Sequence, residues 1–141
     1  MLEVFYVDGQ SLGNEQKAIS RRARIVVVHQ WSSNADESKA FWKDVGDKTN
    51  NEAEYLALIE ALSLASKKAG SIEIRSDSRL IVNQMEGGYR VKDPELKPLW
   101  EKAQNLAVRL GSVRLKWVPR DENLAGLWLD GRWPGGSVQK L

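Results

Sequence analysis

The sequence predicts an α/β protein in which one mixed sheet is layered with helices. Three observations carry this. The first third holds apolar, β-branched runs separated by turn residues. From Asn51 the apolar spacing switches to the helical period. Strand-like and helical segments then alternate through the second half, the pattern of a layered α/β domain.

Residues 3–8 are apolar and β-prone and predict a strand ending at Asp8, with Gly9 and the Gly13-Asn14 pair as turn signals. Residues 22–31 and 38–46 predict two further strands, so the first three form an antiparallel meander. Between Asn51 and Lys68, Ala53, Leu56, Ala57, Ile59, Ala61, Leu62, Leu64 and Ala65 recur as on a helix, with Thr49 or Asn50 as N-cap and Gly70 as stop. Residues 71–76 predict a fourth strand, and Ser78 to Met85 a short helix stopped by Gly87-Gly88. A helix over 94–110 opens on a proline, and residues 112–119 alternate as a fifth strand. A short helix from Glu122 to Asp130 comes last, after which Gly131, Pro134, Gly135 and Gly136 end regular structure. The order is β-β-β-α-β-α-α-β-α.

The 141 residues fit one domain over 1–141, with the tail from about 131 unassigned: its residues from Gly135 to Leu141 are compatible with an added strand, with packing on the surface or with disorder. The chain has no cysteine, which excludes a disulfide framework and a thiolate zinc site. Its first residues lack the basic and apolar regions of a signal peptide, and no run approaches the length of a membrane span. Cytoplasmic residence is the expectation by elimination, and with no obligate protein partner evident a monomer is expected. A net charge of +2 is only mildly basic, so charge alone does not argue for nucleic acid.

Three acidic residues stand where metal chemistry would want them: Asp8 at a strand end, Glu54 in the first turns of the long helix, and Asp77 after the fourth strand. Parallel neighbours in a sheet bring strand ends to one edge, and hard oxygen ligands gathered there suit Mg²⁺. Each residue also has an ordinary reading. Asp8-Gly9 is a common turn pair, Asp77 could cap a helix, and Glu54 could simply face the helix dipole.

Four motifs go further. They are Asp8-Gly9-Gln10-Ser11-Leu12-Gly13-Asn14; Thr49-Asn50-Asn51-Glu52-Ala53-Glu54; Ser76-Asp77-Ser78; and Trp117-Val118-Pro119-Arg120-Asp121-Glu122-Asn123. In this order they resemble the type 1 ribonuclease H family, whose second motif, Thr-Asn-Asn-x-x-Glu, is quite specific. The resemblance spans about residues 4–130 and implies a ribonuclease H-like fold, with a five-stranded mixed sheet of three antiparallel strands followed by parallel ones. It implies an endonuclease that cuts the RNA strand of an RNA–DNA hybrid by two-metal-ion catalysis with Mg²⁺, or Mn²⁺ in its place, leaving 5′-phosphate and 3′-hydroxyl ends. Asp8, Glu54 and Asp77 would hold the metals. Glu52 lies about 200° round the helix from Glu54, so only one of them faces the site, and the motif selects Glu54. Gln10, Asn14, Thr49, Asn50 and Asn51 would touch the hybrid, where short amides and hydroxyls can engage a 2′-hydroxyl. Thr49 and Asn50 could equally act as helix caps.

The chain departs from the family pattern in the last helix, where a fourth carboxylate is usual and Leu127 stands. Asn123, near the end of the last strand, is the expected substitute, giving an Asp-Glu-Asp-Asn set; Asp130 is the other oxygen-bearing candidate, a site of three ligands is the remaining alternative, and a helix N-cap is the ordinary role for Asn123. A catalytically weakened hybrid-binding module is therefore the alternative to an enzyme. The only histidine, His29, sits within a strand and is expected to be structural. The segment from Glu86 to Pro94 is short and mildly basic, which resembles the compact members lacking a basic protrusion, so hybrid affinity should be salt-sensitive. Trp31, Trp42, Trp117 and Trp128 are expected in the core or on a sheet face rather than stacking on bases.

Overall fold

The computed structural model describes residues 2–11, 22–34, 37–65, 70–133 and 135–141. Its elements are β1 (Leu2–Ser11), β2 (Arg22–Gln30), β3 (Ser38–Asp47), α1 (Asn50–Leu64), β4 (Ser71–Ser76), α2 (Arg79–Met85), α3 (Lys97–Leu110), β5 (Val113–Trp117), a 3₁₀ turn (Arg120–Glu122), α4 (Leu124–Leu129) and β6 (Ser137–Lys140). They form one mixed sheet in the order β5-β4-β1-β2-β3-β6. β1, β2 and β3 pair antiparallel, while β4 runs parallel to β1 and β5 parallel to β4.

The alternation of side chains along β1 divides the core into two layers. Phe5 and Val7 join Ile25, Val27, Ile72 and Ile74 on the face covered by α1, where Tyr55, Leu58 and Leu62 are fully or almost fully buried. Burying one such side chain contributes roughly 1.5–3 kcal/mol. Tyr6 joins Val26, Val28 and Ala40 on the opposite face, beneath Ala125 of α4. Asp8 is registered opposite Val26, so it lies on this second face.

The sheet has six strands where five were expected. The tail after Gly131 does not end regular structure: β6 runs parallel to β3 from Lys39↔Ser137 to Trp42↔Lys140. Its four residues are all exposed, so no inward-facing apolar alternation marked it in the sequence. β1 also runs beyond Asp8 to Ser11, and Gly9 pairs with Ile25 rather than turning. α3 runs from Lys97 rather than from Pro94, and residues 94–96 form a turn leading into it, in which the Asp93 carbonyl accepts the Leu96 and Lys97 N–H groups and its side chain accepts that of Glu95. Trp42 stacks on Trp128 with ring centres 5.8 Å apart, but Trp31, just past β2, is 56% exposed rather than packed in the core. His29 stacks on Phe5 at 4.5 Å.

Gly9 is a packing requirement. A Cβ there would fall inside the Ala53 carbonyl and 2.6 Å from the Glu54 nitrogen. Bare backbone lets α1 settle directly on β1, and this contact brings Glu54 to Asp8. Gly9→Ala should therefore cost about 3 kcal/mol or more, because backbone cannot yield as a side chain can. Denaturant unfolding checks this, and an unchanged midpoint would show that α1 has room to move.

Candidate active site

Four elements deliver the site. Asp8 comes from the central strand and is 2% exposed. Glu54 comes from the first turns of α1, whose start is fixed by a capping box: Thr49 Oγ1 accepts from the Glu52 N–H at 3.1 Å, and the Glu52 carboxylate accepts from the Thr49 N–H at 2.9 Å. This commits Glu52 to the cap and leaves Glu54 to the site. Asp77 follows β4, and the Ser78 hydroxyl beside it caps α2 through the Ile81 N–H. The loop between β5 and α4 adds Arg120 and Asn123.

Asp8, Glu54 and Asp77 each offer an oxygen within 4.8 Å of the others. Among the described residues this is the group of carboxylates placed to share one cation. The donor set fits a hard divalent ion: three carboxylates from three elements, two of them poorly hydrated. Without a metal, this crowding is relieved in two ways. Burial, the hydrogen bond to Asp8 and the charges of Asp8 and Asp77 push the Glu54 carboxyl up to about 9, so Glu54 holds a proton at neutral pH. Burial also raises Asp8, against the opposing pull of its Glu54 hydrogen bond and of Arg120. The second relief is Arg120, whose Nη1 donates to Asp8 Oδ2 at 2.5 Å and to Asp77 Oδ2 at 3.1 Å.

Asn123 is fully buried and reaches the cluster through its amide nitrogen. Nδ2 donates to Asp77 Oδ2 at 2.8 Å and to the Val7 carbonyl at 3.0 Å, while Oδ1 accepts from the Ala125 N–H at 3.1 Å. The side chain thus caps α4 and holds Asp77, and its oxygen is engaged by the cap. Asp130 lies outside the carboxylate group and pairs with Arg120, Nη2 to Oδ1 at 3.0 Å. Asn123→Ala would lose the cap and leave the Val7 carbonyl and Asp77 without their donor. The expected cost is about 2 kcal/mol, or a fall in Tm of roughly 5 °C, seen in thermal unfolding. An unaltered Tm would contradict the buried network.

Of the residues expected to meet a hybrid, Thr49 and Asn50 stand at the N-terminus of α1. Asn50 Oδ1 accepts from the Ser11 N–H at 2.7 Å, tying β1 to this helix start. Asn51 is exposed on the first turn, and Gln10 lies on β1 two residues past Asp8. Asn14 lies outside the described residues. Sequence reasoning missed Arg120. Its signal was present, since a basic residue stands inside the fourth motif, seven residues before the position where the family's last carboxylate gives way to Leu127.

Comparisons with known proteins bear on the family and the fold. The family model described as reverse transcriptase-like matches residues 8–129. The bifunctional protein Rv2228c of Mycobacterium tuberculosis is 38% identical over 124 residues, covering 87% of this chain and 33% of its own length. The chain thus spans about a third of that relative. The structure of the N-terminal RNase H domain of Rv2228c matches with a TM-score of 0.78 at 32% identity, covering 94% of this chain and 93% of that one. A ribonuclease H of Clostridium botulinum is 32% identical over 115 residues, 73% of each chain. LC11-RNase H1, isolated from compost and solved in complex with an RNA/DNA hybrid, matches with a TM-score of 0.73 at 32% identity, covering 86% of this chain and 88% of that one. With the motifs in order, the carboxylates converging at one sheet edge and similarity extending over most of the domain, the chain belongs to the ribonuclease H family and resembles its type 1 members.

Proposed function

We propose that this chain is a divalent-metal-dependent endonuclease that hydrolyses the RNA strand of an RNA–DNA hybrid and leaves 5′-phosphate and 3′-hydroxyl ends. The observation that carries the reading is the meeting of Asp8, Glu54 and Asp77 within 4.8 Å at one edge of the sheet. The hybrid bound by LC11-RNase H1 supports the choice of substrate.

Asp8, Glu54 and Asp77 would hold the metal, with Asp8 in the middle of the set. When bound, a pair of divalent ions, Mg²⁺ or Mn²⁺, supplies an activated water and neutralises charge on the phosphate and on the leaving 3′ oxygen. The chain's own residues prepare this chemistry. Glu54, which keeps a proton beside Asp8, would have to release it to serve as a ligand. Asn123 keeps Asp77 turned toward Asp8, which makes Asn123 a positioning residue; its side-chain oxygen becomes a ligand only if the α4 cap opens. The N-terminus of α1 offers a favourable site for phosphate, and Thr49, Asn50 and Asn51, with Gln10 on the strand side, would approach the 2′-hydroxyl that distinguishes RNA from DNA; Asn14 joins them by its motif alone.

Leu127 favours a second reading, a hybrid-binding module with weakened catalysis. A labelled RNA–DNA hybrid, beside duplex DNA and duplex RNA, incubated with Mg²⁺ or Mn²⁺ separates the two. The enzyme reading expects internal cuts confined to the RNA of the hybrid. Tight hybrid binding without cuts under either ion would overturn it in favour of the binding module.

A further inference from the structure

Arg120 is held far more firmly than an arginine on a surface loop. Its Nη1 reaches Asp8 and Asp77, while its opposite edge forks onto Asp130, Nε to Oδ2 at 3.3 Å and Nη2 to Oδ1 at 3.0 Å. The guanidinium lies across Gly126, where an added Cβ would sit 2.9 Å from its Cζ and Nη1. The absence of a side chain at Gly126 therefore makes the floor of the Arg120 seat. Burial works against the charge, but the bonds to Asp130, Asp8 and Asp77 outweigh it and hold the arginine above its ordinary value. On the α4 side of Asp8, where Leu127 can offer no ligand, the chain thus places a permanent positive charge.

This placement has two consequences. A cation within hydrogen-bond distance of two metal-binding carboxylates opposes the entry of a metal ion, since both compete for the same oxygens. The two halves of the guanidinium also have different fates. A divalent ion on Asp8 and Asp77 deprives Nη1 of its acceptors, yet the Asp130 fork keeps the group in place. A guanidinium with one edge anchored and the other free is suited to an anionic oxygen, and the anion that approaches these carboxylates is a backbone phosphate.

We propose that Arg120 is a built-in counter-cation of the active centre: it competes with the metal for Asp8 and Asp77 and, when displaced, binds a phosphate of the nucleic-acid backbone while Asp130 anchors it. The phosphate half rests on hybrid binding at this site, which the nuclease and the binding-module readings share; the metal half does not.

The test compares wild type, Arg120→Ala, Asp130→Asn and the double variant, by Mn²⁺ calorimetry and by hybrid binding across a salt series. Arg120→Ala should bind Mn²⁺ about tenfold more tightly, the gain from removing one charge-assisted competitor. The same variant should bind the hybrid more weakly, with the salt dependence reduced by about one phosphate contact. These opposite signs are not what a merely structural loss would give. Asp130→Asn should weaken Mn²⁺ binding by leaving Arg120 to the catalytic pair, and in the Arg120→Ala background the same change should matter little. If Arg120→Ala folds poorly, Arg120→Gln keeps the stem over Gly126 and should show the same signs.

Unchanged or weaker Mn²⁺ binding in the arginine variants would overturn the competition. Tighter Mn²⁺ binding with an unchanged hybrid affinity and salt slope would overturn the phosphate contact. Neither readout needs turnover, so a wild type that binds metal and hybrid but does not cut would sink the nuclease reading while leaving the role of Arg120 to be decided by these same signs.

Discussion

Asp8→Asn should reduce cleavage of the hybrid at least about a thousandfold while leaving the fold intact, the scale expected when a central charge-bearing ligand is removed from a metal-dependent site. Asp8 is the hub of the cluster: it shares a hydrogen bond with Glu54, takes the short Arg120 contact and feels the charge of Asp77. It is also almost wholly buried on the central strand, so no other carboxylate can move into its place. The amide keeps the size but not the charge, and it offers one acceptor oxygen where the carboxylate offers two. A steady-state rate, set beside a circular dichroism spectrum and a hybrid-binding isotherm, reads the effect. Loss of rate with binding retained places Asp8 in the chemistry. A rate within tenfold of wild type would remove it, and with it the assignment of the cluster as the catalytic centre.

Much of this centre was legible in the sequence because its parts are local. The capping box that starts α1 is written in Thr49 and Glu52, and the same spacing leaves Glu54 on the other side of the helix. The short strand over 71–76 and the Asp77 that follows it were read with their boundaries, since a run alternating buried and partly exposed residues has a clear period. What escaped depends on contacts between segments far apart in the chain. Gly9 looked like a turn residue because Asp-Gly usually is one; only the docking of α1 shows that its missing side chain is needed in mid-strand. Asn123 was expected to offer an oxygen, but the Val7 carbonyl and Asp77, more than forty residues away, determine that its nitrogen faces inward. Arg120 could be read as a loop residue until Asp8, 112 positions earlier, appeared against it. β6 was legible only as one of three open readings of the tail, because its strand character comes from the open edge of β3 rather than from its own residues.

Glu54→Gln should change how stability depends on pH, and the metal-free protein is where this shows. A carboxyl held at about 9 in the folded chain titrates near its ordinary 4.5 once unfolded. Between these values the folded state keeps a proton that the unfolded state has lost, so stability falls as pH rises. The sign follows from the raised value: the contribution is fully present below about pH 4.5 and is lost as pH climbs toward 9. One such proton gives a slope of up to about 1.4 kcal/mol per pH unit. In the presence of a chelator, wild-type Tm should therefore fall steadily from pH 5.5 to 8.5. Glutamine donates to Asp8 as the protonated carboxyl does and does not ionise, so the variant should lose most of the slope and melt higher than wild type at pH 8.5. Mg²⁺ or Mn²⁺ should raise wild-type Tm most at high pH, where the ion takes the place of the proton, and should raise the variant far less. The two effects are linked, because the charge that destabilises the empty cluster is the charge that binds the ion. A wild-type Tm flat across this range without metal would mean that Glu54 ionises freely beside Asp8, and the crowding inferred for the three carboxylates would not exist.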